Sequence, residues 1–169
     1  MPVAAHLRPT PDRVRETLFN WLQPVIEGAV CLDLFAGTGV LGFEALSRGA
    51  GRVVMLDNNR TVVDELRKQA GLLGADHAEL HHADAINWLE HSNEQFDIVF
   101  IDPPFKENLW DRTCELLVNK GHLREAALLF LESGSREEVC NRRLHIKKRS
   151  QAGQVRYMLL EYHPTEEGE

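Results

Sequence analysis

Four aspartates in this chain stand where an apolar run gives way to a turn: Asp33 in "CLDLFAGTG", Asp57 in "VVMLDNN", Asp84 in "HHADA" and Asp102 in "VFIDPPF". Carboxylates placed there attract cations and accept hydrogen bonds from hydroxyls and amines. Asp33 leads into Gly37-x-Gly39-x-x-Gly42, and Asp57 follows Gly37 by 20 residues, the spacing of a dinucleotide fingerprint. In that pattern the glycines let backbone approach a ligand and the acid takes the ribose hydroxyls. Any nucleoside cofactor bound at a first strand needs the same geometry, so the glycines do not choose among cofactors. Asp33 does. A pyrophosphate is anionic and a carboxylate beside its cradle repels it, whereas S-adenosylmethionine carries an ammonium and a sulfonium that a carboxylate attracts. Asp84 can accept from an adenine amine. Three acids at the ends of three successive strands therefore suit a cationic nucleoside; the alternative is that Asp33 and Asp84 only cap helices or turns.

The fourth aspartate belongs to Asp102-Pro103-Pro104-Phe105. Proline cannot donate to a sheet ladder, so the pair ends the strand and stiffens the loop after it. Carboxyl ends of strands are where open α/β sheets bind ligands. An exocyclic amine on a base is a poor nucleophile because its lone pair is delocalised into the ring. Two acceptors at fixed separation, Asp102 and the carbonyl of Pro103, can bind the N–H groups and aim that lone pair. Phe105 can stack on the base. The alternative is a plain turn with Phe105 in the core. Carbon-5 pyrimidine methylation needs a cysteine nucleophile, and the nearest, Cys114, falls well into the next predicted helix.

The elements that must hold these residues alternate. "TPDRVRETLFNWL" opens as a helix, with Thr10 as cap, Pro11 in the first turn and Asp12 on the dipole. Val14, Leu18 and either Trp21 or Leu22 recur on one face. Strands are predicted over 30–35, 52–57, 79–82, 96–101 and 127–132, and helices over 40–48, 60–73, 85–91, 109–120 and 137–141. Two further strands, 144–149 and 155–162, flank a hairpin loop "SQAGQ". The reading is a doubly wound α/β fold: a mainly parallel seven-stranded sheet covered on both faces, with an antiparallel C-terminal hairpin at one edge.

At 169 residues one domain over 1–169 is expected. An apolar share of 43% and no run long enough to span a bilayer point away from a membrane protein and toward the cytoplasm. The three cysteines form no CxxC pair and the eight histidines are scattered, so neither a metal site nor a disulfide framework is expected. Net charge is −7, yet residues 136–156 hold seven basic side chains against two acids. That patch can bind phosphates, or its lysines can simply protect a sheet edge.

Together, "LRPTPDRVRETLFNWL", "CLDLFAGTGVLGFEALSRGA", "MLDNNR" and "FIDPPF" resemble the bacterial 16S rRNA guanine-N2 methyltransferase D family, over roughly residues 7–162. The resemblance implies a class I methyltransferase fold and methyl transfer from S-adenosylmethionine to N2 of one guanine of 16S rRNA, on small-subunit particles. It implies that Asp33, Gly37 and Gly39 line the methionine side of the cofactor, with Phe35, Ala36 and Thr38 in the same turn. Asp57 with Asn58 would hold the ribose, Asp84 with Ala85 the adenine, and Asp102, Pro103, Pro104 and Phe105 the guanine. The segment 7–27 would close over the cofactor and face RNA through Arg8, Arg13 or Arg15; Lys147, Lys148 and Arg149 are further candidates for RNA. Family members place a basic, glycine-containing hairpin before the RPT segment, where only residues 1–7, without a basic side chain, stand here. Cofactor binding is expected to survive without that hairpin, and RNA affinity to depend on it. A monomer is expected.

Three other readings compete. An amino methyltransferase could act on adenine N6 or a protein glutamine amide. The glycine fingerprint also fits an NAD-dependent oxidoreductase, and the basic patch fits a non-catalytic RNA-binding module.

Overall fold

The computed structural model describes residues 12–102, 107–132, 141–153 and 155–165. Helix α1 (Asp12–Leu22) precedes five strand–helix repeats: β1 (Val30–Asp33), α2 (Val40–Ser47), β2 (Arg52–Asp57), α3 (Arg60–Leu73), β3 (Ala78–His82), α4 (Ala85–His91), β4 (Phe96–Ile101), α5 (Glu107–Asn119) and β5 (Leu123–Glu132). Strands β6 (Leu144–Ala152) and β7 (Val155–Tyr162) follow. The seven strands form one sheet in the order β3-β2-β1-β4-β5-β7-β6. β1 to β5 are parallel, and β7 runs antiparallel to both β5 and β6. This is the expected doubly wound sheet with an antiparallel hairpin at one edge.

Alternation along each strand divides the core in two. Leu32, Val54, Leu56, Val99, Ile101, Leu129 and Leu131 face α4 and α5, where Leu89, Trp110, Cys114 and Leu117 meet them. Cys31, Val53, Met55, Ile98, Phe100, Leu128 and Phe130 face α1 to α3. In α1 the apolar stripe is Val14, Leu18, Phe19 and Leu22, all buried, so Leu22 rather than Trp21 completes it. Burial of such side chains is worth about 1.5–3 kcal/mol each, which holds an 11-residue helix that would be marginal alone. Half-buried Trp21 instead packs its ring 5.8 Å from Tyr157.

Four boundaries differ from the sequence-based expectation by two residues or more, for local reasons. β1 stops at Asp33 instead of 35 because the chain turns: the amide of Leu34 still reaches the carbonyl of Phe100, while that of Ala36 bonds to Leu56 on the other neighbour. β5 begins at Leu123 instead of 127. Between the pairs Phe96–Leu123 and Ile98–Leu128 it carries three more residues than β4, and Ala126 takes φ 67° there. α5 starts two residues ahead of the expected 109. The hairpin loop expected over 150–154 is largely strand, since Gln151 pairs with Arg156 and Ala152 with Val155. The caps proposed at Thr10 and Pro11, and all of the helix over 137–141 except Asn141, lie outside the described residues. Among the described residues, no helix is long and apolar enough to cross a membrane.

Candidate active site

Strands β1, β2 and β4 end side by side on Asp33, Asp57 and, one residue past β4, Asp102. The turn after β1 brings its backbone back across the sheet. Gly37 and Gly39 occupy the left-handed region at φ 54° and 81°, where an L side chain is strained. A Cβ on Gly39 would also stand 2.6 Å from Leu66 Cδ2 and from Phe43 Cε2, so the turn and α3 approach as closely as glycine allows. The glycine at 42 sits within helix α2, where a Cβ would meet Met55 Cε at 2.3 Å.

Asp57 organises this turn from the next strand. Its Oδ2 accepts the amide of Gly37 at 3.0 Å and its Oδ1 the amide of Asn59 at 2.9 Å. Each oxygen keeps lone-pair capacity for hydroxyl donors, and two backbone amides fix the plane in which they point. Asn59 caps α3 by accepting the amide of Val62 at 3.2 Å. Beside it, the imidazole of His82 meets the carbonyl of exposed Asn58 through Nε2 at 3.1 Å. That contact ties the end of β3 to the turn after β2, and the amide of Ala83 adds a bond to the carbonyl of Asp57.

Asp84 is the N-cap of α4, its Oδ2 accepting the amide of Asn87 at 3.0 Å. The capping role weighed from sequence is therefore real, and it leaves Oδ1 facing solvent chemistry on an exposed side chain. Ala85 next to it is buried. Asp33 is only 2% exposed. Amides of Phe35 and of Gly42 in the first turn of α2 donate to its carboxylate and favour the ion. Burial and then the nearby Asp102, with Asp57 beyond, prevail over them and push the acid up to about 7. Asp33 thus holds its proton to a higher pH than an ordinary carboxyl does. The neighbouring thiol of Cys31 is raised to about 12 by burial and by Asp97 and Asp33.

The structure gathers Asp33, Phe35, Ala36, Gly37, Thr38, Gly39, Asp57, Asn58, Asp84, Ala85 and Asp102 around the carboxyl ends of β1 to β4. Pro103, Pro104, Phe105 and Arg8 lie outside the described residues. Arg13 is exposed on α1, and Arg15 is engaged with Asp12 at 3.1 Å. Lys147 reaches Glu161 at 3.1 Å, while Lys148 and Arg149 are exposed on β6. No cluster of three metal-ligating side chains occurs among the described residues. Two residues escaped sequence reasoning. Asn59 carried a readable signal, an asparagine immediately before a predicted helix; the bond from His82 to a backbone carbonyl had none.

The family profile described as "Conserved hypothetical protein 95" matches residues 1–161. "Ribosomal RNA small subunit methyltransferase D" of Escherichia coli strain K12 is 44% identical over 163 residues, covering 94% of this chain and 81% of that one. The chain belongs to the methyltransferase D family. A relative with the same name in Haemophilus influenzae is 45% identical over 131 residues, 75% of this chain and 68% of that one. The solved yhhF structure from E. coli superposes with a TM-score of 0.89 at 42% identity, over 98% of this chain and 92% of that one. A Salinibacter ruber RNA methyltransferase solved with S-adenosyl-L-homocysteine shares the fold at 17% identity, with a TM-score of 0.74 over 94% and 95% of the two chains.

Proposed function

We propose that this protein transfers a methyl group from S-adenosylmethionine to the exocyclic N2 of a guanine in 16S rRNA of the small ribosomal subunit. The observation that carries the reading is the buried Asp33 held at the glycine turn with Asp57 and Asp102 beside it. This acid set repels a pyrophosphate and welcomes a cation, which favours S-adenosylmethionine over a nicotinamide dinucleotide. Family membership supports ribosomal RNA as the substrate.

The residues fit the cofactor part by part. Asp57, fixed by two amides, has oxygen capacity left for the ribose diol; Asp84 has Oδ1 for the adenine amine; Asp33 faces the cationic end, with Gly37 and Gly39 giving backbone access. Bound S-adenosylmethionine supplies an electrophilic methyl on a sulfonium. Asp102 and the carbonyl of Pro103 accept the two N–H groups of the guanine amine and hold its lone pair toward that methyl, with Phe105 against the base. As the N–C bond forms, the methyl's bond to the sulfonium sulfur would break and leave neutral S-adenosyl-L-homocysteine, while the amine gives up one proton, for which Asp102 is the acceptor. The segment 7–27 covers the cofactor, and the chain acts as a cytoplasmic monomer, one domain over 1–169.

The test is transfer of labelled methyl from S-adenosylmethionine to small subunits lacking the modification, with naked 16S rRNA in parallel and the product nucleoside identified after digestion. N2-methylguanosine is expected, from particles in preference to naked RNA. N6-methyladenosine, or a methylated glutamine on protein, would replace the target while keeping the chemistry. Micromolar NADH binding without S-adenosylmethionine binding would overturn the reading.

A further inference from the structure

A row of register partners crosses the sheet from the candidate site to its edge. Ile101 pairs with Leu131, Leu131 with Met158, and Met158 with Arg149. Three strand spacings put Arg149 about 14 Å to the side of Ile101, the residue before Asp102. Beyond this row β5 ends at Glu132, opposite Tyr157, while the β6–β7 hairpin runs on toward the same side through the pairs Gln151–Arg156 and Ala152–Val155. Residues 151–152 and 155–156 of the hairpin therefore extend past the end of β5, toward the side of the sheet where Asp102 sits.

Antiparallel partners share a face, and so do residues two apart on one strand. Met158 belongs to the core that faces α4 and α5, so Arg149, Gln151 and Arg156 project on that face. Lys148, paired with Leu159, projects on the other. The basic run 147–149 is thus no single patch. The bulge after Ile146 sets Lys147 apart, and Lys147 pairs with Glu161 at 3.1 Å on the face opposite the arginines. Arg149 and Arg156 are exposed diagonal neighbours on this face. Edge protection does not require them, because the bulge and Lys148 already interrupt β6. A planar cation pair of this kind matches phosphate oxygens.

We propose that Arg149 and Arg156, with Gln151 beside them, form a docking ridge for the RNA backbone that flanks the methylated base. The proposal rests on the RNA reading above and adds the surface that aligns the strand with Asp102. Phosphates on this ridge lie to the α5 side of the sheet, and Lys147 and Lys148 take no part.

The experiment measures binding of the full chain to 16S rRNA and to small subunits across a series of salt concentrations. Wild type is compared with Arg149→Gln/Arg156→Gln, Arg149→Lys/Arg156→Lys and Lys147→Gln/Lys148→Gln. The arginine-to-glutamine pair is expected to lower the slope of log K against log[salt] by about 1.4, two single-strand phosphates' worth, with S-adenosylmethionine affinity unchanged. The lysine-for-arginine pair keeps most of the slope, and the Lys147/Lys148 pair keeps all of it. An unchanged slope in the arginine-to-glutamine pair overturns the ridge even where wild type methylates RNA. A slope lost only on particles, and kept on naked RNA, assigns the surface to a ribosomal protein and overturns the ridge as well. Absence of methyl transfer to any RNA by wild type strikes the underlying reading instead.

Discussion

At the scale of single residues, Asp57 does more than an acid waiting for ribose. It already accepts the amides of Gly37 and Asn59, so Asp57→Ala removes the ligand contact and loosens the glycine turn together. Hydrogen bonds to a charged group are worth about 1.5–3 kcal/mol each. Cofactor affinity measured by calorimetry is therefore expected to fall at least tenfold, and unchanged affinity would remove Asp57 from the site. Asp33 invites a test against pH. Its folded value of about 7 stands above the ordinary carboxylate value, so the native state keeps a proton that the unfolded chain has lost. Stability of the free protein is expected to fall as pH rises from about 4 to about 7 and to level off above. Binding a cation requires the ion, so affinity for S-adenosylmethionine rises over the same interval. Calorimetry in two buffers of different ionisation enthalpy should detect a proton released on binding at pH 6 and none at pH 8.5. Asp33→Asn should stabilise the free protein at pH 8 and weaken the cofactor, separating the two effects.

At the scale of elements, spans that end on caps and glycines were legible. Residues 52–57, 60–73, 85–91 and 96–101 read from sequence as they fold; in the structure Asn59 and Asp84 cap α3 and α4, and Gly74 closes α3 in the left-handed region. The start of β5 was not legible. The exposed stretch Arg124, Glu125 and Ala126 breaks the alternation, and only the register to β4 shows it as an interruption of one strand. The site follows the same division: the four acids announce themselves by position, whereas the bond from Gly37 to Asp57 depends on how two strands sit beside each other. Two substitutions probe these places. Ala126→Gly relieves a left-handed alanine worth about 1–2 kcal/mol, partly offset by glycine's entropy, so a gain of up to about 1 kcal/mol in urea unfolding is expected. Gly39→Ala combines that strain with overpacking against Leu66 and Phe43, and a loss of about 2 kcal/mol or more is expected.

At the scale of the whole molecule, the acids of the candidate site and the arginines of the hairpin stand apart. The acids gather at the carboxyl ends of β1 to β4, and the arginine pair stands three strands away on the hairpin, within a chain of net charge −7. On the proposed reading, the net negative charge repels RNA and the arginine ridge is where the strand docks. Methyl transfer to small subunits is accordingly expected to slow more steeply with added salt than cofactor binding does, and initial rates at several salt concentrations check this. At the opposite, amino ends of the strands, Arg52 joins Glu79 to Glu94, and buried His122 spans the carbonyls of Glu94 and Leu89 at 2.9 and 2.7 Å. Those contacts tie the loops of that end together.

Among the described residues, two thiols are buried in different elements. Cys31 stands in the central strand β1, with its thiol raised to about 12, and Cys114 lies in α5, the helix that follows Asp102. Neither is within reach of an alkylating reagent until its surroundings open, because only an exposed thiolate reacts. Labelling read by mass spectrometry thus becomes a clock with two hands. Equal rates at Cys31 and Cys114 would mean that the sheet and α5 come apart in one event. Faster labelling at Cys114, slowed by S-adenosylmethionine, would mean that α5 detaches on its own while the central strand stays closed.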